Sequence, residues 1–108
     1  MKIITLLTLT TFMFAEPILT DIQNPKTNAE DLLFIESNNT KCNTQLQKTA
    51  EILLEMADAE QANSTIELDS NYNLFIKESD KAIKVCKYNK DIKEIQTNVI
   101  LYYTLNYK

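Results

Sequence analysis

The chain has no glycine, no histidine and no tryptophan, and only two cysteines and two prolines among its 108 residues; arginine is missing as well. Without glycine, backbone positions that need a positive φ fall to asparagine or aspartate, which disfavours two-residue β-hairpins and loops that cradle phosphate. Without histidine there is no imidazole to activate a serine or cysteine nucleophile, no histidine acid or base, and no zinc site of ordinary composition. The sequence therefore reads as non-enzymatic and suggests no cofactor. Lysine is the only base, carboxylates outnumber it, and the formal charge is −4. That balance disfavours nucleic acid, whose binding rests on a basic surface, and makes a cationic partner electrostatically easier. Lysine, asparagine, isoleucine and threonine are abundant instead. This is the usage of an AT-rich coding sequence, so the missing residue types are not each a functional choice.

Met1-Lys2 precedes an apolar stretch from Ile3 to Ala15, and polarity changes abruptly at Glu16-Pro17. A basic start, a short apolar run and a small residue before a polar segment are the three parts of a secretory signal peptide, here expected to be cut after Ala15. The run is shorter than the ~20 apolar residues that span a bilayer, and no cysteine follows the cut to carry a lipid. Residues 1–15 are thus read as a signal and the mature chain as periplasmic or secreted. Losing the one positive charge of Lys2 takes the net charge from −4 to −5. Export places Cys42 and Cys86 where disulfides form and persist, and they lack the C-x-x-C spacing of redox or haem-attachment motifs. An intramolecular Cys42–Cys86 bridge is the expectation; two buried free thiols or an intermolecular bridge are the alternatives.

Residues 16–27, with Pro17 and Pro25, read as an extended leader, and residues 28–108 as a helical domain. Thr27 with Glu30, or Asn28 with Asp31, offers a cap just before the apolar run Leu32 to Ile35. The short polar side chains from Ser37 to Asn43 compete for backbone hydrogen bonds, so a break or kink is expected there. From Cys42 the apolar positions recur at helical spacing through Leu46, Ala50, Leu53 and Ala57, widened by Ile52, Met56 and Ala59. Asn63 is the predicted stop, standing in for a C-terminal glycine. Ser64-Thr65-Ile66-Glu67 is a capping box that starts the next helix, whose stripe runs through Leu68, Tyr72, Phe75, Ala82 and Cys86, with Ile76 and Ile83 beside it. Asn89 is expected to end or bend that helix. A last helix presents Ile92, Ile95, Val99, Tyr102 and Leu105 or Asn106 on one side.

Cys42 and Cys86 lie almost equally far in sequence from the Asn63-Ser64 turn. In an antiparallel hairpin they come level about 30 Å from its tip, at a rise of ~1.5 Å per residue. The fold class is accordingly all-α: a small antiparallel three-helix bundle with one disulfide, with a fourth short helix before Cys42 as the variant.

Glu51, Glu55 and Asp58 share a helix face, where like charges repel, and form a candidate acidic patch for a basic partner or a weakly held divalent cation. A solvated face is the plain alternative. Lys77, Lys81, Lys84 and Lys87 recur at helical spacing, but lysines toward a helix C-terminus complement its dipole, which argues against a membrane-surface role. Tyr102, Tyr103 and Tyr107, with Tyr72 and Tyr88, offer recognition area if Tyr103 and Tyr107 are exposed together. Glu36-Ser37-Asn38-Asn39-Thr40 resembles the acidic-x-Asn-x-Ser/Thr acceptor of bacterial N-glycosylation and marks Asn38; Asn63-Ser64-Thr65 fits only the shorter sequon. With catalysis disfavoured, the functional expectation is a periplasmic binding or interaction module whose partner is a protein. A structural or accessory subunit of an envelope complex and a secreted effector are the alternatives, and the oligomeric state stays open.

Overall fold

The computed structural model describes residues 21–108, so the signal read at 1–15 and the first part of the leader lie outside the described residues. The described residues form four helices, α1 (Pro25–Leu33), α2 (Thr40–Gln61), α3 (Thr65–Val85) and α4 (Lys90–Tyr107), and no strand. The fold is a four-helix all-α bundle, the expected variant with a short helix before Cys42, which is α1.

Helix α1 starts earlier than the sequence reading had it. Asn24, not Thr27 or Asn28, is the N-cap, and its side chain accepts from the Thr27 amide at 2.9 Å. Pro25 takes the first helical position, where its fixed φ and missing N–H cost nothing. The proline taken as a mark of extended leader thus begins the helix, and residues 25–27 are helical.

The expected break is present between Leu33 and Thr40. The Asn39 amide bonds the Ser37 hydroxyl, the Asn43 side chain donates to the Ser37 carbonyl, and the Asn39 side chain caps α2 by accepting from Lys41 and Cys42. These are the local bonds that draw short polar residues out of helices.

Asn63 ends α2 as expected. Its φ is 56°, its amide bonds Glu60 and the Ser64 amide bonds Ala59, which is a Schellman closure without glycine. Ser64 then caps α3 by accepting from the Glu67 amide. Only this half of the capping box forms, because the Ser64 amide that Glu67 would reach is already bonded to Ala59.

At the other end of α3 the reading needs correcting. The helix closes at Cys86, with Lys87 and Tyr88 both in the left-handed region (φ 60° and 59°) and Tyr88 bonded back to Ile83. Asn89 does not end α3; it is the N-cap of α4, accepting from Asp91 and Ile92.

Helices α2 and α3 form an antiparallel hairpin, and Cys42 and Cys86 are bridged across its open end with their Cα atoms 5.0 Å apart. Helix α4 returns antiparallel to α3, with Gln96 bonded to Ser79 and Asp80 and Tyr103 bonded to Asp69. Helix α1 closes the ring by packing on α2 and α4. The core holds Leu32 from α1, Leu46, Leu53 and Met56 from α2, Leu68 and Phe75 from α3, and Ile92, Ile95 and Val99 from α4. In the last turns of α4 it is Tyr103 that turns inward, while Leu105 is exposed. The steps 92, 95, 99, 103 track the helix period more closely than a stripe ending on 102 and 105.

One carboxylate is buried in the hairpin. Glu78 is 4% exposed. The Gln45 side chain donates to both its carboxylate (2.8 Å) and its carbonyl (3.0 Å), and Lys48 and Lys81 stand 3.6 and 3.9 Å from it. The Gln45 bond, followed by the two lysines, holds its carboxyl below the ordinary value against the opposing effect of burial. The bond also ties α2 to α3 at this level of the hairpin.

Candidate functional site

Besides the Glu78 cluster, the described residues concentrate polar chemistry at both ends of the bundle. At the hairpin tip, three tyrosines from the end of α4 reach two carboxylates. The Tyr103 hydroxyl donates to Asp69 at the start of α3, and the Tyr102 and Tyr107 hydroxyls both donate to Glu60 at the end of α2. Tyr103 stacks on Tyr72 with ring centroids 3.7 Å apart, and the Lys108 ammonium lies 5.8 Å from the Tyr103 ring centroid. The bond to Asp69, then burial, pushes the Tyr103 phenol up to about 12. Burial, then Glu60, pushes Tyr107 up to about 12 and raises Tyr102 further, and burial raises Tyr72. Tyr103 is only 5% exposed, so the condition set for a tyrosine recognition patch is not met. This cluster fastens the end of α4 to the hairpin, and it uses the acids Glu60 and Asp69 to do so.

The other place is a cleft of about 530 Å³ between α1 and the first half of α4, toward the disulfide end. Five carboxylates line it: Asp21, Asp31, Glu36, Asp91 and Glu94, with no lysine among the lining residues. Asp91 lies in the first turn of α4, where a negative charge complements the helix dipole. Asp31 lies in the last turn of α1, where the same charge is unfavourable by about 0.3–1 kcal/mol. Apolar surface comes from Ile35, Ile95 and Phe34, the last 81% exposed.

The cleft is built on a pair of buried asparagines. The Asn28 side chain donates to the Asn98 side-chain oxygen at 3.1 Å and to the Gln23 carbonyl at 3.0 Å. Asn98 also accepts from the Gln23 amide at 2.9 Å and donates to the Asp21 carbonyl at 2.9 Å. Residues 21–23 are thereby tied to α4, which carries Asp21 to the cleft. Sequence reasoning missed this pair. Asn98 interrupts the apolar face of α4, and an uncapping asparagine inside a helix was the one available signal.

The sequence-predicted acidic set falls elsewhere. Glu51, Glu55 and Asp58 are all exposed on α2, apart from the cleft. Lys77, Lys81, Lys84 and Lys87 are exposed along and just beyond α3. Asn38 is exposed in the α1–α2 loop. Among the described residues no group of three or more histidine, cysteine, aspartate or glutamate side chains is placed to hold a metal ion, and no helix is long and apolar enough to cross a membrane. The five cleft carboxylates are thus not gathered as metal ligands, and they share the cleft with apolar surface from Phe34, Ile35 and Ile95.

Compared with protein-family models, with curated proteins and with solved structures, the chain matches none.

Proposed function

We propose that this chain is an exported, non-catalytic binding module that holds a basic segment of a partner protein in the cleft between α1 and α4. The observation that carries the reading is the lining: five carboxylates without a basic side chain, beside an exposed Phe34. A lysine or arginine side chain fits such a place twice over, its charge facing the carboxylates and its stem or guanidinium lying on the phenyl ring. Complementary charge of this kind acts mainly on encounter rate and choice of partner, so the interaction should weaken steeply with salt.

The test compares two variants of equal charge change. Asp31→Asn, Glu36→Gln and Glu94→Gln together remove three of the five cleft charges, whereas Glu51→Gln, Glu55→Gln and Asp58→Asn remove three from the exposed face of α2. Each is titrated with a lysine- and arginine-containing peptide and used in crosslinking from the native envelope. The reading requires that binding and crosslinks vanish in the first variant and persist in the second. Equal behaviour of the two variants refutes it, and loss only in the second moves the site to α2.

The exposed Leu33 and Phe34 at the end of α1 favour one alternative, a subunit held permanently in an envelope complex. In that case the isolated chain associates at micromolar concentration in sedimentation, and a stable monomer excludes it.

A further inference from the structure

We propose that Asn38 is the acceptor of an N-linked glycan. Two sequons occur in the chain, Asn38-Asn39-Thr40 and Asn63-Ser64-Thr65, and only the first has a carboxylate two residues before the asparagine, at Glu36. In the structure the asparagine and threonine of both sequons are exposed and each threonine begins a helix, Thr40 in α2 and Thr65 in α3; the sequons differ in what precedes the asparagine. Residues 35–39 are non-helical, Asn39 is extended (φ −94°, ψ 115°), and Glu36, Asn38 and Thr40 are all exposed. In extended backbone, residues two apart share a face, whereas in a helix they point nearly opposite ways, about 200° apart. Asn38 lies in the non-helical link and Thr40 is the first residue of α2, so acceptor and hydroxyl both stand exposed at the entry to that helix, with Glu36 in the link before them.

Asn38 is also dispensable to the fold. Asn24, Asn39 and Asn89 cap helices, and Asn63 closes α2 in the left-handed region. Asn38 makes no hydrogen bond among the described residues, so substitution on its amide breaks no contact. Asn63 differs in its backbone: it holds the left-handed closing position of α2 (φ 56°) with its backbone N–H bonded to the Glu60 carbonyl, and the residue two before it, Gln61, is helical and not acidic. The Cys42–Cys86 bridge begins four residues after Asn38. Disulfides form and persist in oxidising compartments, on the same side of the membrane as N-glycan transfer, so the bridge and the sequon suit the same location.

The reaction takes a glycan from a polyprenyl pyrophosphate donor. The Asn38 amide nitrogen forms a bond to C1 of the reducing-end sugar as the bond from C1 to the pyrophosphate oxygen breaks. The nitrogen loses one proton, and the polyprenyl pyrophosphate leaves with the electron pair. No oxidant or reductant is needed.

The test uses the full, disulfide-bonded chain with a purified bacterial oligosaccharyltransferase and lipid-linked oligosaccharide. Intact mass is the readout, and a sequon peptide is the control acceptor. This arm depends neither on export nor on the cleft reading. The expected result is one glycan per chain, abolished in Asn38→Gln and in Thr40→Val, lowered in Glu36→Gln and unchanged in Asn63→Gln. Asn38→Gln melts at the parent temperature, which separates loss of the acceptor from loss of the fold. A bare polypeptide mass while the control peptide is glycosylated overturns the proposal, as does an increment that survives in Asn38→Gln. Chain isolated from its native envelope should carry one glycan on the peptide containing Asn38, and a bare mass there overturns its use in the cell.

Discussion

Breaking the Cys42–Cys86 bridge should remove most of the stability of this domain. The bridge closes a loop of sequence separation 44. Loop-closure entropy for that length, ~2.1 plus 1.5R ln n cal/mol/K with n about 44, comes to about 4 kcal/mol at 25 °C. A core alone seldom gives more than ~3–5 kcal/mol below roughly 70–80 residues, and this domain is only slightly longer, so the unbridged chain stands near the limit of folding. For a domain of this length each kcal/mol moves Tm by about 4–8 °C, and the loss corresponds to a fall of roughly 15–30 °C. The proper variant is Cys42→Ala with Cys86→Ala. Cys42 is fully buried, and a serine there would add the separate cost of an unpartnered hydroxyl. Thermal and urea unfolding followed by far-UV circular dichroism, variant against parent, give the difference directly. A loss below about 1 kcal/mol would show that the denatured chain is already held compact by other means, and the entropic account would fail.

Three further outcomes are expected. Because the folded Glu78 carboxyl titrates below its unfolded value, it contributes stability above the unfolded pKa of about 4.3 that is lost as pH falls through the folded value; urea midpoints between pH 7 and pH 3 should drop less in Glu78→Gln than in the parent. Lys87→Gly should raise stability by about 1 kcal/mol, since Lys87 sits at φ 60° where a Cβ costs ~1–2 kcal/mol and glycine gives part of that back in unfolded-state entropy, and an unchanged urea midpoint would contradict it. The tyrosine cluster contributes stability that is fully present below the unfolded phenol pKa of about 10 and is lost as pH rises through about 12; tyrosinate absorbance should therefore appear together with loss of helix in that window, and ionisation of every tyrosine before any helix is lost would refute the assignment.

The hairpin was legible because its signals were local and agreed with one another. Asn63 and Ser64 marked the turn, the apolar stripes of α2 and α3 met on one side, and the cysteines fell level with each other. What escaped the sequence was set by competition between local signals or by distant partners. Pro25 fits both a leader and a first helical turn, and only the Asn24 side chain accepting from Thr27 decides between them. Asn89 fits both a C-terminal stop and an N-cap, and the chain made lysine and tyrosine take the left-handed positions so that it could serve as the cap. The cleft was illegible for a different reason. Asp21, Asp31, Glu36, Asp91 and Glu94 come from three separate stretches, and no periodicity within one helix can show that the Asn28–Asn98 contact gathers them.

The contrast between the two ends of the bundle bears on what the cleft is for. At the tip, Glu60 and Asp69 receive phenol hydrogen bonds from α4, so their charge has a structural use within the chain. Within the hairpin, Glu78 is likewise satisfied by Gln45 and flanked by two lysines. No ion pair joins any of the five cleft carboxylates to a lysine among the described residues, although the chain has eleven lysines. Gathering those charges around one concavity raises their mutual repulsion, and Asp31 additionally opposes the dipole of its own helix. A cationic partner would relieve both costs. If that is the reason for the arrangement, neutralising Asp31 and Glu94 should make the isolated domain slightly more stable while abolishing its binding. The opposite pairing, lower stability with binding intact, would make the cleft a by-product of packing.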